Sequence, residues 1–120
     1  MRIRILYVPA DGTPEVKEIA NDLKVLQDLV GGYIETDRLT PTLISIVNEK
    51  GLIHDLPVNK HFKGTRWYRG NVLIVRAPYW AEDFDSITLE DIVTLMAEFD
   101  IGSRGKLQSD CNLLVEELHG

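Results

Sequence analysis

The chain has 120 residues, an ordinary size for one domain, of which 44% are hydrophobic and 27% are charged. These proportions are typical of a globular protein and exclude extensive disorder. The single cysteine, Cys111, excludes an intrachain disulfide and suits a reducing compartment. The apolar run near the N-terminus is too short for a signal peptide, and polar residues interrupt the other runs. We therefore expect a cytoplasmic protein without a membrane span.

The charge of the chain is unevenly distributed. The formal net charge is -6 and the pI is near 5.0, which argues against binding DNA through bulk electrostatics. Residues 60–69, here called the cationic window, are the exception, because they contain four lysine or arginine residues and no acidic one. The four are Lys60, Lys63, Arg66 and Arg69. We expect any anionic partner to bind there.

The first third of the chain predicts a β-hairpin followed by a helix. Residues 2–8 begin with alternating polar and apolar side chains, and an Asp-Gly turn leads to a short returning strand at residues 15–19. Asn21 is placed to cap a helix, and Gly31 or Gly32 to end it in the left-handed conformation. The apolar stripe of this helix consists of Leu23, Leu26 and Val30.

The middle of the chain predicts further strands. Residues 33–39 and 42–47 are rich in strand formers, and Pro41 between them confines this region to a sheet edge or a break. A turn at residues 48–51 then allows a returning strand to begin at residues 52–53.

A central strand and a second helix follow. Residues 71–75 form the most apolar run, which is typical of a strand buried on both faces. Thr88 caps the helix with Asp91 as its capping-box partner, and Ile87 and Ile92 form a hydrophobic staple. The apolar stripe of this helix consists of Ile92, Leu95, Met96 and Phe99.

The C-terminal segment, residues 103–120, has an ambiguous pattern. It fits a helix after a Ser109 cap, with Cys111 on the apolar side, although residues 113–115 also fit a strand. We favour a helix packed on the same domain. The sequence thus predicts one α+β domain over residues 1–102, with a mainly antiparallel mixed sheet and two helices on one face, and a third helix in the extension.

Four sequence blocks together resemble a known family. They lie at residues 26–35, at 48–51 followed by 56–59, at 70–75 and at 83–88, and they include Val-Gly-Gly-Tyr-Ile-Glu and Leu-Pro-x-Asn. In this order they resemble a family of small domains of unknown function encoded by bacteriophages, prophages and plasmids, over roughly residues 1–100. The resemblance implies a mobile-element accessory protein that works in a bacterial cytoplasm. It implies no catalytic role.

The cationic window is one candidate ligand site. Its cations alternate with aromatic side chains, and this combination can neutralise phosphates and stack on bases. The alternative is a solvated loop whose aromatic side chains pack into the core. The candidate ligand-binding residues in this region are Asn59, Lys60, Lys63, Arg66, Trp67 and Arg69.

The glycine pair before the third predicted strand is a second candidate. Gly31 and Gly32 can expose backbone groups to a small ligand, with Glu35 accepting hydrogen bonds from it. They follow a helix C-terminus, so they are not a phosphate-binding loop, which precedes a helix N-terminus. The alternative is a helix stop with tight helix–strand packing.

Two further features bear on function. Tyr79 and Trp80 are large aromatic residues in a predicted loop, where they can cover the core or anchor a protein partner.

An enzyme would need a converging set of reactive groups, and a cleft shared by His54, Glu35 and Asp55 would indicate one.

The sequence favours a non-enzymatic binding protein that acts on a host or phage protein. The alternative is binding of a small anionic ligand, such as a nucleotide, or of nucleic acid through the cationic window. We expect no cofactor and no metal site, and the oligomeric state is left open.

Overall fold

The computed structural model describes residues 1–62, 66–99 and 101. The predicted C-terminal helix at residues 103–120, with Cys111, lies outside the described residues, and so does Lys63.

The described residues form a five-stranded sheet with the order β2-β1-β5-β4-β3. Every pairing between these strands is antiparallel, which confirms the α+β class and the mainly antiparallel sheet. β5 is the central strand, as its apolar sequence predicts. The strands are β1 (Arg2–Val8), β2 (Glu15–Ala20), β3 (Ile34–Arg38), β4 (Leu43–Asn48) and β5 (Val72–Arg76).

The first helix, α1 (Leu23–Val30), ends as predicted but begins one residue later than expected. Gly31 closes it with a φ of 81°, and its N–H donates to the Gln27 carbonyl. The N-cap is Asp22, whose carboxylate accepts from the Lys24 N–H at 2.8 Å. Asn21 was the predicted cap, but its amide instead donates to the Asp83 carboxylate, at 3.1 Å. It therefore joins two loops instead of capping the helix.

The second helix, α2 (Leu89–Glu98), confirms the predicted capping box. The Thr88 hydroxyl accepts from the Asp91 N–H at 3.1 Å, and the Asp91 carboxylate accepts from the Thr88 N–H at 2.8 Å. Ile87 and Ile92 are both buried in one hydrophobic cluster, as the staple requires.

The two helices pack on opposite faces of the sheet, so the prediction that they share one face was wrong. Successive side chains of a strand point to opposite faces, and residues 72–75 are all buried. Each face of the central strands therefore needs a cover. We call the faces the α1 face and the α2 face. On the first, Leu26 and Val30 pack with Leu73 and Val75. On the second, the packed residues include Ile92, Leu95, Val72 and Ile74.

The chain between β4 and β5 does not form the predicted returning strand. Residues 52–53 lie in a turn, and their side chains are 73% and 79% exposed. Asp55, with a φ of 53°, turns the chain back. Residues 56–62 and 66–70, here called the crossing segment, then run over the α2 face, where Phe62 is fully buried.

Candidate functional site

A groove of about 540 Å³ lies between the β3 edge of the sheet and the crossing segment. We call it the edge groove. The register pairs Glu35 with Val47 and Asp37 with Ser45, so these side chains share the α2 face. The lining includes Glu35, Asp37, Val47, Glu49, Leu52, Val58, Trp67, Tyr68 and Arg69. The groove therefore combines residues from blocks that are far apart in the sequence.

Tyr68 and Asp37 join the two walls of this groove. The Tyr68 hydroxyl donates to Asp37 Oδ2, and Arg66 Nε donates to the same oxygen at 3.1 Å. The Tyr68 ring also meets Phe62 edge to face, with 4.8 Å between the ring centroids. Burial, and then the hydrogen bond to Asp37, raise the pKa of Tyr68. The phenol therefore stays protonated and keeps its role as donor.

The wall formed by the crossing segment is held together by contacts among its own residues. Val58 and Arg69 form an isolated antiparallel bridge, and the Gly70 N–H donates to the Pro57 carbonyl at 2.7 Å. Arg69 Nη1 donates to the Leu56 carbonyl at 3.1 Å. These contacts connect the two arms of the crossing segment into one wall of the groove.

Asn59 anchors this wall to the sheet. Its side chain is fully buried, and its amide nitrogen donates to the carbonyls of Val8, at 2.9 Å, and Gly70, at 3.0 Å. Its amide oxygen accepts from the His61 N–H at 3.1 Å. The structure therefore gives this candidate ligand residue a set of internal partners.

The rim of the edge groove is apolar and exposed. Trp67 and Leu52 are each 73% exposed, and Val58 is 37% exposed. All three line the same groove. Large apolar side chains that converge on one concavity are typical of an interaction surface, whereas single exposed ones are not informative.

Carboxylates from elsewhere in the chain accompany the cationic window. Lys60 pairs with Asp11 at 3.1 Å, Arg66 with Asp37 at 3.1 Å, and Arg69 with Asp55 at 3.2 Å. Among the described residues of the window, each cation thus has an acidic neighbour. In the edge groove itself, acidic side chains outnumber basic ones among the described lining residues. The local potential therefore differs from what the sequence of the window alone predicts.

The glycine pair lies in a different groove, also of about 540 Å³, at the C-terminal end of α1. A Cβ on Gly32 would lie 2.8 Å from Asn48 Nδ2, and that nitrogen donates to the Val30 carbonyl at 3.1 Å. The close approach shows that the glycines serve the helix stop and helix–strand packing. His54 also lines this groove, whereas Glu35 lines the edge groove. Asp55 pairs with Arg69, so these two grooves do not bring His54, Glu35 and Asp55 together.

Tyr79 and Trp80 do not cover the core. They are 69% and 77% exposed. The Arg38 guanidinium stacks over the Tyr79 ring, 4.3 Å from its centroid, and Arg38 Nη2 donates to the Ala77 carbonyl at 2.8 Å. This second aromatic surface lies on the other side of β3, because Arg38 and Glu35 point to opposite faces.

Asp37, Leu52 and Val58 line the edge groove but were not among the site residues predicted from the sequence. Asp37 could have been predicted, because side-chain alternation within residues 34–38 places it on the same face as Glu35. Leu52 and Val58 had no such signal, because their positions depend on the path of the crossing segment.

Within the described residues, no helix has the length and hydropathy needed to cross a bilayer.

Comparison with known proteins identifies the family of the chain but no relative of known function. The curated proteins and the solved structures contain no significant match. Residues 1–100 match the family described as a domain of unknown function, DUF3846. Because this match covers most of the sequence, the chain belongs to that family.

Proposed function

We propose that the chain is a non-enzymatic accessory protein of a phage or other mobile element, and that it binds a host or phage protein in the edge groove. Its place of action is the bacterial cytoplasm. The observation that carries this proposal is the convergence of three exposed apolar side chains on one groove: Leu52, Val58 and Trp67.

Burial of such a rim is a common source of binding energy. Tryptophan is enriched among the few interface residues that dominate affinity, and it contributes most when neighbouring contacts exclude water. Trp67 has such neighbours in Leu52 and Val58. The groove walls are fixed by the Val58–Arg69 bridge and by the hydrogen bond between Tyr68 and Asp37. Because the groove walls are already held in place, binding a partner costs less conformational entropy.

Site-directed photo-crosslinking in bacterial cells tests the proposal. A photoreactive amino acid is placed at position 52, on the groove rim, or at position 23, which is 56% exposed on α1. We expect a protein adduct from position 52 and none from position 23. Trp67→Ala should reduce the adduct, and the matched control Trp80→Ala should leave it unchanged.

Two results would contradict the proposal. Equal adducts from both positions would show that the groove has no preference for a partner. A bound nucleotide that survives native mass spectrometry of the wild type and is lost in Arg66→Ala would favour the anionic ligand instead.

A further inference from the structure

We infer that the partner contributes an extended segment that pairs with the outer edge of β3 and places a lysine or arginine against Glu35. The inference rests on the proposed function, since it specifies how the edge groove recognises its protein partner.

The hydrogen bonds of β3 show which backbone groups are available. At one end of the hairpin the Glu49 N–H donates to the Tyr33 carbonyl at 2.9 Å, and at the other the Leu39 N–H donates to the Leu43 carbonyl at 3.0 Å. Hydrogen-bonded residues alternate along an antiparallel pair. Tyr33, Glu35, Asp37 and Leu39 therefore direct their backbone groups toward β4.

The intervening residues of β3 direct their backbone groups away from the sheet. These residues are Ile34, Thr36 and Arg38, and among the described residues no backbone group pairs with their outward N–H and C=O groups. Such an edge is a template for an added strand. It borders the edge groove, because Glu35 and Asp37 of the same strand line that groove.

The geometry of an added strand determines which side chains meet. In an antiparallel pair, the residue directly opposite Glu35 has its side chain on the same face, with Cβ atoms about 5 Å apart. That face is the α2 face, which carries the groove. The side chain opposite Glu35 therefore enters the edge groove.

The charges of the edge groove favour a cationic side chain at the position opposite Glu35. Asp37 already bonds with Arg66 and Tyr68, whereas Glu35 and Glu49 have no ion-pair partner among the described residues. Trp67 adds an exposed ring, whose face attracts a cation. A lysine or arginine can lie between these groups with its alkyl stem on the apolar rim.

A second copy of the chain does not fit this edge as well. Antiparallel pairing of two β3 strands centred on Thr36 places Glu35 of each copy opposite Asp37 of the other. Like charges directly opposite each other destabilise a strand pair. The acidic edge thus favours a basic partner segment over self-association.

A library of random dodecapeptides displayed on ribosomes tests the inference. The probes are the peptides selected on the full-length wild-type protein. We expect selected peptides to be enriched in lysine or arginine, and their binding to weaken as salt rises. Glu35→Gln should weaken binding about two- to fivefold, and the matched control Glu82→Gln, also exposed, should not change it.

Amide hydrogen exchange of the protein with a selected peptide reports the mode of binding. The amides of Ile34, Thr36 and Arg38 should become protected, and those of Glu35 and Asp37 should change little because they already face β4. Three results would overturn the inference: the selected peptides are acidic, these three amides do not become protected, or no peptide is selected. Peptide binding that is lost in Trp67→Ala without protection of β3 would overturn the strand pairing but support the proposed function.

Discussion

The hydroxyl of Tyr68 donates to the carboxylate of Asp37, 31 residues away in the sequence, and joins the crossing segment to the edge strand. Arg66 completes this link through the same carboxylate oxygen. This contact spans the edge groove, because the two residues belong to its opposite walls.

The stability of the fold should depend on the protonation of Tyr68. Burial, and next the hydrogen bond to Asp37, raise its pKa in the folded protein, whereas the unfolded chain ionises near pH 10. The unfolded state therefore binds fewer protons above about pH 10, and the contribution of Tyr68 is lost progressively as pH rises from there. Urea unfolding between pH 8 and 11 should show a steeper loss of stability for the wild type than for Tyr68→Phe. At pH 8 the variant should be less stable by about 1 kcal/mol.

Tyr33→Phe is the control for this measurement, since Tyr33 is 67% exposed. It should follow the wild type over the whole pH range. A pH dependence of Tyr68→Phe identical to that of the wild type would contradict the assignment.

Gly32→Ala should destabilise the protein through Asn48. The new Cβ would lie 2.8 Å from Asn48 Nδ2, so the amide must move and weaken its bond to the Val30 carbonyl. We expect a loss of about 1–3 kcal/mol in the free energy of unfolding, measured in urea. In an Asn48→Ala background the same substitution should cost clearly less. Equal losses of unfolding free energy in both backgrounds would show that the Asn48 amide does not cause the destabilisation.

Asp91→Ala should destabilise the protein more than Thr88→Ala. Both substitutions remove half of the capping box, which is worth about 1 kcal/mol. Asp91 also accepts two bonds from Arg76 Nη1, at 3.0 and 3.2 Å, and its side chain is only 9% exposed. Its loss leaves the guanidinium without this carboxylate, so we expect a total of about 2–4 kcal/mol. Thermal unfolding of both variants checks the order, and a larger effect of Thr88→Ala would contradict it.

Asn59→Ala should loosen the crossing segment. The amide bonds to Val8, Gly70 and His61 are lost in a fully buried position, so the free energy of unfolding should fall by about 2–4 kcal/mol. The indole fluorescence of Trp67, resolved from that of Trp80 in a Trp80→Phe background, should change even where the variant remains folded. If the stability falls but the Trp67 fluorescence does not change, Asn59 stabilises the core without positioning the crossing segment.

Local sequence signals predicted the individual elements well. Thr88 and Asp91 form a capping box that depends only on a three-residue spacing, and Gly31 supplies the left-handed residue that a helix end requires. The alternation at residues 2–8 predicted the first strand, and the apolar run at 71–75 predicted the central strand. These features depend on neighbours a few residues away.

The assembly of those elements could not be predicted in the same way. The acidic partners of Lys60, Arg66 and Arg69 lie 14 to 49 residues away, so the window appeared purely cationic in the sequence. Glu35 was predicted to accompany the glycines, but strand alternation places it on the opposite face of the sheet. The helices were assigned to one face, although the run at 71–75 already indicated two buried faces.

The strand order has a consequence for synthesis on the ribosome. β5 is the fifth strand to be synthesised, yet it lies between β1 and β4 and connects the two hairpins. The β1–β2 and β3–β4 hairpins can form early from local contacts, but they acquire a common sheet only when Arg76 has left the exit tunnel. Until then the edges of β1 and β4 that pair with β5 lack their partner strand, and the nascent chain is most vulnerable to misassociation at that stage.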